Sequence, residues 1–121
     1  MAWKFDDSRS IYVQLVEQIK IRILTGSYAP GSRLPAVREL AAEAGVNPNT
    51  MQRALSELES TGLVYSVRTS GRFVTEDSDM RKELKADLAK KEVNEFVKKM
   101  KQLGYTCEEI AGLIIETDIK D

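Results

Sequence analysis

The chain has no histidine, one cysteine, three prolines and one tryptophan among its 121 residues. Without histidine it lacks the usual general base at neutral pH and the commonest metal ligand. No nucleophile stands in a motif with a plausible base, no glycine-rich phosphate loop occurs, and no metal-ligand spacing is present. Catalysis is therefore not expected, and neither is a cofactor. The lone Cys107 has no internal disulfide partner, which points to a reducing cytoplasm. It falls where a helix should begin, a place that can activate a thiol, but packing as a small apolar side chain is the expectation. Long apolar runs are also missing: the longest, residues 110–115, is far too short to span a bilayer. No basic, apolar and small-residue series opens the sequence, so no secretory leader is expected.

An excess of either charge is absent too, with 18 Lys and Arg against 19 Asp and Glu. A net charge of −1 would argue mildly against a nucleic-acid partner, so the distribution matters more than the sum. Residues 1–75 hold 9 Lys and Arg against 7 Asp and Glu, and residues 76–121 hold 9 against 12. Around the segment of greatest interest the basic residues are all arginine: Arg33, Arg38, Arg53, Arg68 and Arg72. Arginine is the better side chain for bidentate contact with phosphate or guanine.

What is present is a set of helical and turn signals in residues 34–74. Helical spacing of Tyr12, Leu15, Val16, Ile19 and Ile23 predicts a first helix over 11–24. Before it, Trp3 and Phe5 need burial against the domain that follows. Pro30-Gly31 mark a turn, and Arg33-Leu34 could add a short strand. A second helix is expected over 36–44, with Val37, Leu40 and Ala41 inward. Gly45 lets the chain leave it in a left-handed conformation. Asn47 then offers an N-cap oxygen and Pro48 occupies the first position of a third helix, 48–61, with Met51, Leu55 and Leu58 on its apolar stripe. Strands over 63–67 and 72–75 flank Thr69-Ser70-Gly71 as a loop. Helix, turn, helix and hairpin in this order predict an α+β, mainly α fold: a winged helix-turn-helix over residues 9–77, whose second helix fits a DNA major groove.

A helical tail follows. Ala86, Ala89, Val93, Phe96, Met100 and Leu103 recur at the spacing of a helix seam, predicting a helix over 78–103. Its lysines alternate with acids, as in Asp87–Lys91 and Glu95–Lys99, and read as a solvated face rather than a basic patch. Gly104 breaks that helix. Thr106 with Glu109 predicts a capping box for a last one carrying Ile110, Ala111, Ile114 and Ile115. Such a short C-terminal helical hairpin leaves an apolar face uncovered, so residues 78–121 are expected to be a dimerisation element covered by a second copy. A two-fold dimer suits a palindromic operator.

Within the helix-turn-helix, Asn49, Gln52 and Arg53 are the expected base contacts, because their side chains can pair with base edges. Asn47 and Thr50 join them at the start of the helix. Arg38 on the second helix, read by itself, is a surface ion pair with Glu43 or Glu39 that is worth little. Arg68, Thr69, Ser70, Gly71 and Arg72 form the wing, where arginines suit a narrow minor groove.

The pattern Leu34-Pro35, Arg38-Glu39-Leu40-Ala41, Gly45-Val46, Thr50, Arg53-Ala54-Leu55, Leu58-Glu59 and Gly62-Leu63-Val64 resembles the N-terminal domain of GntR-type bacterial transcription regulators. Asn47-Pro48-Asn49-Thr50 and the short tail resemble the YtrA subfamily. The resemblance covers roughly residues 9 to 77 and implies a sequence-specific DNA-binding regulator, a dimeric repressor of its own operon, in which transporter genes often occur. It also carries Arg38 over as a DNA contact. The length of this chain speaks against relatives with an aminotransferase-like domain. A small-molecule effector stays open: about 45 residues are too few to enclose a pocket of ~300 Å³ within one chain, and a dimer interface could supply one. The sequence departs from the family at Ala36 (usually Ser), at Pro48 (often Arg) and at Thr69-Ser70 (usually Gly-x-Gly), so operator sequences do not transfer. The alternative is a winged helix that holds a protein partner without sequence-specific DNA binding. Replacing Arg38, Gln52 and Arg53 by Ala separates the two, since it should abolish only operator binding.

Overall fold

A computed structural model describes residues 2–117; Met1 and residues 118–121, the end of the expected dimerisation element, lie outside the described residues. The chain divides into two compact units, Met1–Lys82 and Glu83–Asp121. In the first, α1 (Ile11–Leu24) is capped by Ser10, whose side chain accepts from the Val13 N–H. Leu15, Ile19 and Ile23 are fully buried. Each such side chain contributes roughly 1.5–3 kcal/mol by leaving water. Two glutamines on α1 hold the leader. Gln14 Oε1 accepts from the Asp6 N–H (2.9 Å) while its Nε2 donates to the Asp6 carbonyl (2.9 Å). Gln18, one turn on, makes the same reciprocal pair with Lys4. Trp3 is half-buried under the Arg22 guanidinium, 3.5 Å from the ring centroid.

The second helix, α2 (Val37–Ala44), starts one residue later than expected, and Ala36 caps it with no side-chain hydrogen bond. Gly45 (φ 69°) ends it. The Gly45 N–H donates to the Ala42 carbonyl and the Val46 N–H to the Ala41 carbonyl, the paired bonds of a Schellman motif. Asn47 then caps α3 (Pro48–Ser60), its side chain accepting from the Asn49 N–H at 2.8 Å. Met51, Ala54, Leu55 and Leu58 bury one stripe of α3 against Leu40, Ala41 and the α1 core.

Strands β1 (Val64–Val67) and β2 (Gly71–Val74) pair antiparallel, with Val64 opposite Val74 and Ser66 opposite Arg72. Val64 and Val74 close the core at the base of the hairpin. Arg33-Leu34 joins as a single bridge to Phe73 rather than as a strand, with the Leu34 N–H donating to the Arg72 carbonyl (2.8 Å). Between the strands Thr69 adopts φ 68°, and Gly71, the first residue of β2, adopts φ 111°.

Helix α4 (Ser78–Gln102) begins where Asp77 accepts from the Met80 N–H (3.0 Å), and its later turns belong to the second unit. None of its residues is buried. The expected seam stands open: Val93 is 57%, Phe96 43% and Leu103 72% exposed. After Gly104 (φ 95°), Thr106 and Glu109 form the capping box of α5 (Cys107–Glu116). Ile110 is buried, whereas Ile114 and Ile115 are exposed. Cys107 is exposed, which overturns its expected packing role. It is the first residue of α5, one turn before the buried Ile110. No helix among the described residues is long and apolar enough to cross a membrane.

Candidate nucleic-acid interface

Capping and stripe together set the outward face of α3. With Met51, Leu55 and Leu58 turned to the core, Asn49, Gln52 and Arg53 occupy i, i+3 and i+4 on the opposite side and are exposed. Thr50 is half-buried beside them. Asn47 spends its oxygen on the cap, which leaves the two hydrogens of its amide directed outward as donors. At the helix N-terminus Pro48 has no N–H, the Asn49 N–H is taken by the cap and the Met51 N–H by the Asn47 carbonyl, which leaves the Thr50 N–H to favour a phosphate.

Arg53 is exposed but not loose: its guanidinium lies over the Tyr12 ring of α1, 4.3 Å from the centroid. Such stacking contributes about 0.5–1 kcal/mol at a surface and holds the plane while leaving its N–H edges free to bond. Arg38 is exposed on α2, and among the described residues no ion pair joins it to Glu39 or Glu43. The i,i+4 pairs Asp87–Lys91 and Glu95–Lys99 are likewise open.

At the wing, Arg68, Thr69, Ser70 and Gly71 are all exposed. Thr69 adopts a left-handed conformation at the position where the resemblance leads one to expect the first glycine of Gly-x-Gly. Arg72 differs from Arg68. Its side chain is only 18% exposed, and its Nε donates to Glu59 Oε1 on α3. Ser66 on β1 donates to the same oxygen at 2.6 Å, and the Arg72 guanidinium also reaches Gln52 Oε1 at 3.5 Å. The Ser66 hydroxyl first, and the Arg72 guanidinium with it, hold the Glu59 carboxyl below the usual carboxylate range. Of the two wing arginines, Arg68 has no ion-pair partner among the described residues, and Arg72 turns back onto the helix.

One residue was missed. Arg33 lies across the wing, so close that a methyl group on Gly71 would come within 2.9 Å of its Nε. Its pairing with Phe73 places it there, and the suspected Arg33-Leu34 strand was the signal available in the sequence. No cluster of three or more His, Cys, Asp or Glu able to hold a metal occurs among the described residues.

The arrangement of a capped helix with an outward polar face beside a two-stranded wing has clear counterparts. The family model for bacterial regulatory proteins of the gntR family matches residues 11–74. The chain is 43% identical over 107 residues to the HTH-type transcriptional regulator YhcF of Bacillus subtilis, covering 88% of each protein. It is 33% identical over 116 residues to the HTH-type transcriptional repressor YtrA of the same organism, covering 93% of this chain and 89% of that one. Among solved structures, a GntR family transcriptional regulator from Listeria monocytogenes matches with a TM-score of 0.88 and 42% identity, over 94% of this chain and 100% of that one. The DNA-binding domain of AraR in complex with operator ORX1 matches with a TM-score of 0.53 and 34% identity, over 60% of this chain and 93% of that one. The chain belongs to the GntR family: it is a transcriptional regulator with a winged helix-turn-helix DNA-binding domain, not an enzyme.

Proposed function

We propose that the protein is a cytoplasmic, dimeric repressor that binds a palindromic operator in double-stranded DNA upstream of its own operon. The observation that carries this reading is the exposed row Asn49, Gln52 and Arg53 on α3, flanked by Arg38 and the wing. Asn49, Gln52 and Arg53 would read base edges in the major groove, with Asn47 and Thr50 at the helix start. Arg38 would hold phosphate, and Arg68 with Thr69, Ser70 and Gly71 would lie along the minor groove. Repression is supported by the similarity to YtrA, which carries the name of a repressor, and operator binding by the likeness to the AraR complex.

Dimerisation would use residues 78–121, the second unit with the turns of α4 that lead into it. Val93, Phe96, Leu103, Ile114 and Ile115 expose apolar surface there that a second copy would cover. A two-fold pair would then offer two recognition helices to two half-sites.

Gel-shift titration of the full chain on its own upstream DNA, against a random duplex, tests the reading. A preference of about 10³-fold or more is expected, weakening steeply as salt rises. Equal affinity for both duplexes would overturn it. Replacing Arg38, Gln52 and Arg53 by Ala should remove the preference.

A further inference from the structure

We propose that Glu59 is a positioning residue for DNA recognition: it takes up the Arg72 guanidinium and so fixes the wing against the recognition helix. The inference rests on the operator-binding reading above and assigns Arg72 a different task from the phosphate or minor-groove contact that its place in the wing suggests.

Three elements converge on one oxygen. Glu59 comes from the last turns of α3, Ser66 from β1 and Arg72 from β2. The hairpin register places Ser66 directly opposite Arg72, so hydroxyl and guanidinium share one face and both donate to Glu59 Oε1. Arg72 then reaches Gln52, two turns earlier on the same helix. One guanidinium thus spans the outward side of α3 from a base-reading position to the helix end. Its side chain is 18% exposed and that of Glu59 30%, so the pair is partly shielded from water. The carboxyl stays ionised at neutral pH, because the Ser66 hydroxyl and Arg72 both favour its charged form.

The opposing account is that Arg72 is itself a DNA contact and Glu59 merely competes with phosphate for it. The two accounts predict opposite consequences of removing Glu59. If Glu59 competes, its loss frees a cation and strengthens binding. If it positions, the wing loses its register on α3 and discrimination falls.

The experiment uses a duplex that the wild-type protein selects from a randomised pool, and a scrambled duplex of the same composition. Affinity for each is measured between 50 and 300 mM salt for wild type, Glu59→Gln, Arg72→Gln and the double variant (about a sixfold range, chosen to resolve the counterion slope). We expect each single variant to lose roughly tenfold in the ratio of selected to scrambled affinity. The double variant should be no worse than either single, the signature of one coupled unit. The salt slope of Arg72→Gln should match wild type, and Arg72→Lys should fail like Arg72→Gln, since an ammonium cannot reproduce the fork. A slope reduced by about 0.9 for each Arg72 removed would make Arg72 a phosphate contact and overturn the proposal. So would additive losses, a rescue by lysine or a gain from Glu59→Gln. If Glu59→Gln does not fold by circular dichroism, Ser66→Ala removes only the hydroxyl donor and should show a smaller loss in the same ratio; an unchanged ratio overturns the proposal. If wild type itself selects no sequence, the operator reading fails, and the inference with it.

Discussion

Two residues, Thr69 in the wing and Glu59 on α3, carry local cost and restraint there. Thr69 is β-branched and sits at φ 68°, where an L side chain costs about 1–2 kcal/mol. Replacing it by Gly should raise stability by about 0.5–1 kcal/mol, the remainder being offset by the greater freedom of glycine in the unfolded chain. A higher urea midpoint would confirm this; a lower one would mean the threonine is held by something other than the loop. Glu59 carries a pH dependence of definite sign. Its folded carboxyl titrates below the ordinary glutamate value, first because Ser66 donates to it and then because of Arg72. The stability it contributes is present above its unfolded value and is lost as pH falls through the folded one. Between pH 6 and 3, wild type should therefore lose more stability than Glu59→Gln, read as the shift of denaturation midpoint with pH (a window about the reference carboxylate value).

Among the elements, α2 is the one with a correctable defect. Ala36 has the extended geometry of an N-cap, φ −61° and ψ 154°, but no oxygen to offer. Glu39 already occupies the third helical position, so Ala36→Ser would supply the missing half of a capping box. The gain should be about 1 kcal/mol, which for a domain of this size raises the melting temperature by about 4–8 °C. Calorimetry decides it, and no rise would show that α2 is held by Leu40 and Ala41 rather than by its start. The recognition helix needs no such help: Asn47 caps it, Pro48 fixes its first turn, and three large apolar side chains bury its inner face.

For the whole molecule, the proposed function would divide its two tasks between the two units. The winged helix-turn-helix lies in the first, while the exposed apolar surface that self-association would use lies on the second. Phe96 is 43% exposed, so Phe96→Glu should leave the fold of either unit intact. Under the proposed dimer it should instead give monomers in sedimentation equilibrium. Operator affinity should then fall by roughly 10²-fold or more as avidity is lost. A Phe96→Glu protein that still sediments as a dimer would place the contact elsewhere.

The sequence by itself determined the order of elements, their ends within a residue or so, and the outward face of α3. Those features come from neighbours within about one helical turn: Asn47 before Pro48, Gly45 after Ala44, Thr106 before Glu109, and apolar residues at helical spacing. Tertiary structure alone decided what the arginines do. Arg72 meets Glu59 across 13 positions and Gln52 across 20, Arg53 lies over Tyr12 from another helix, and Arg33 crosses the wing tip. Arginine is long enough to reach several partners, and which one it takes depends on how separate elements pack. No local pattern encodes that choice, because it exists only once α1, α3 and the hairpin have come together.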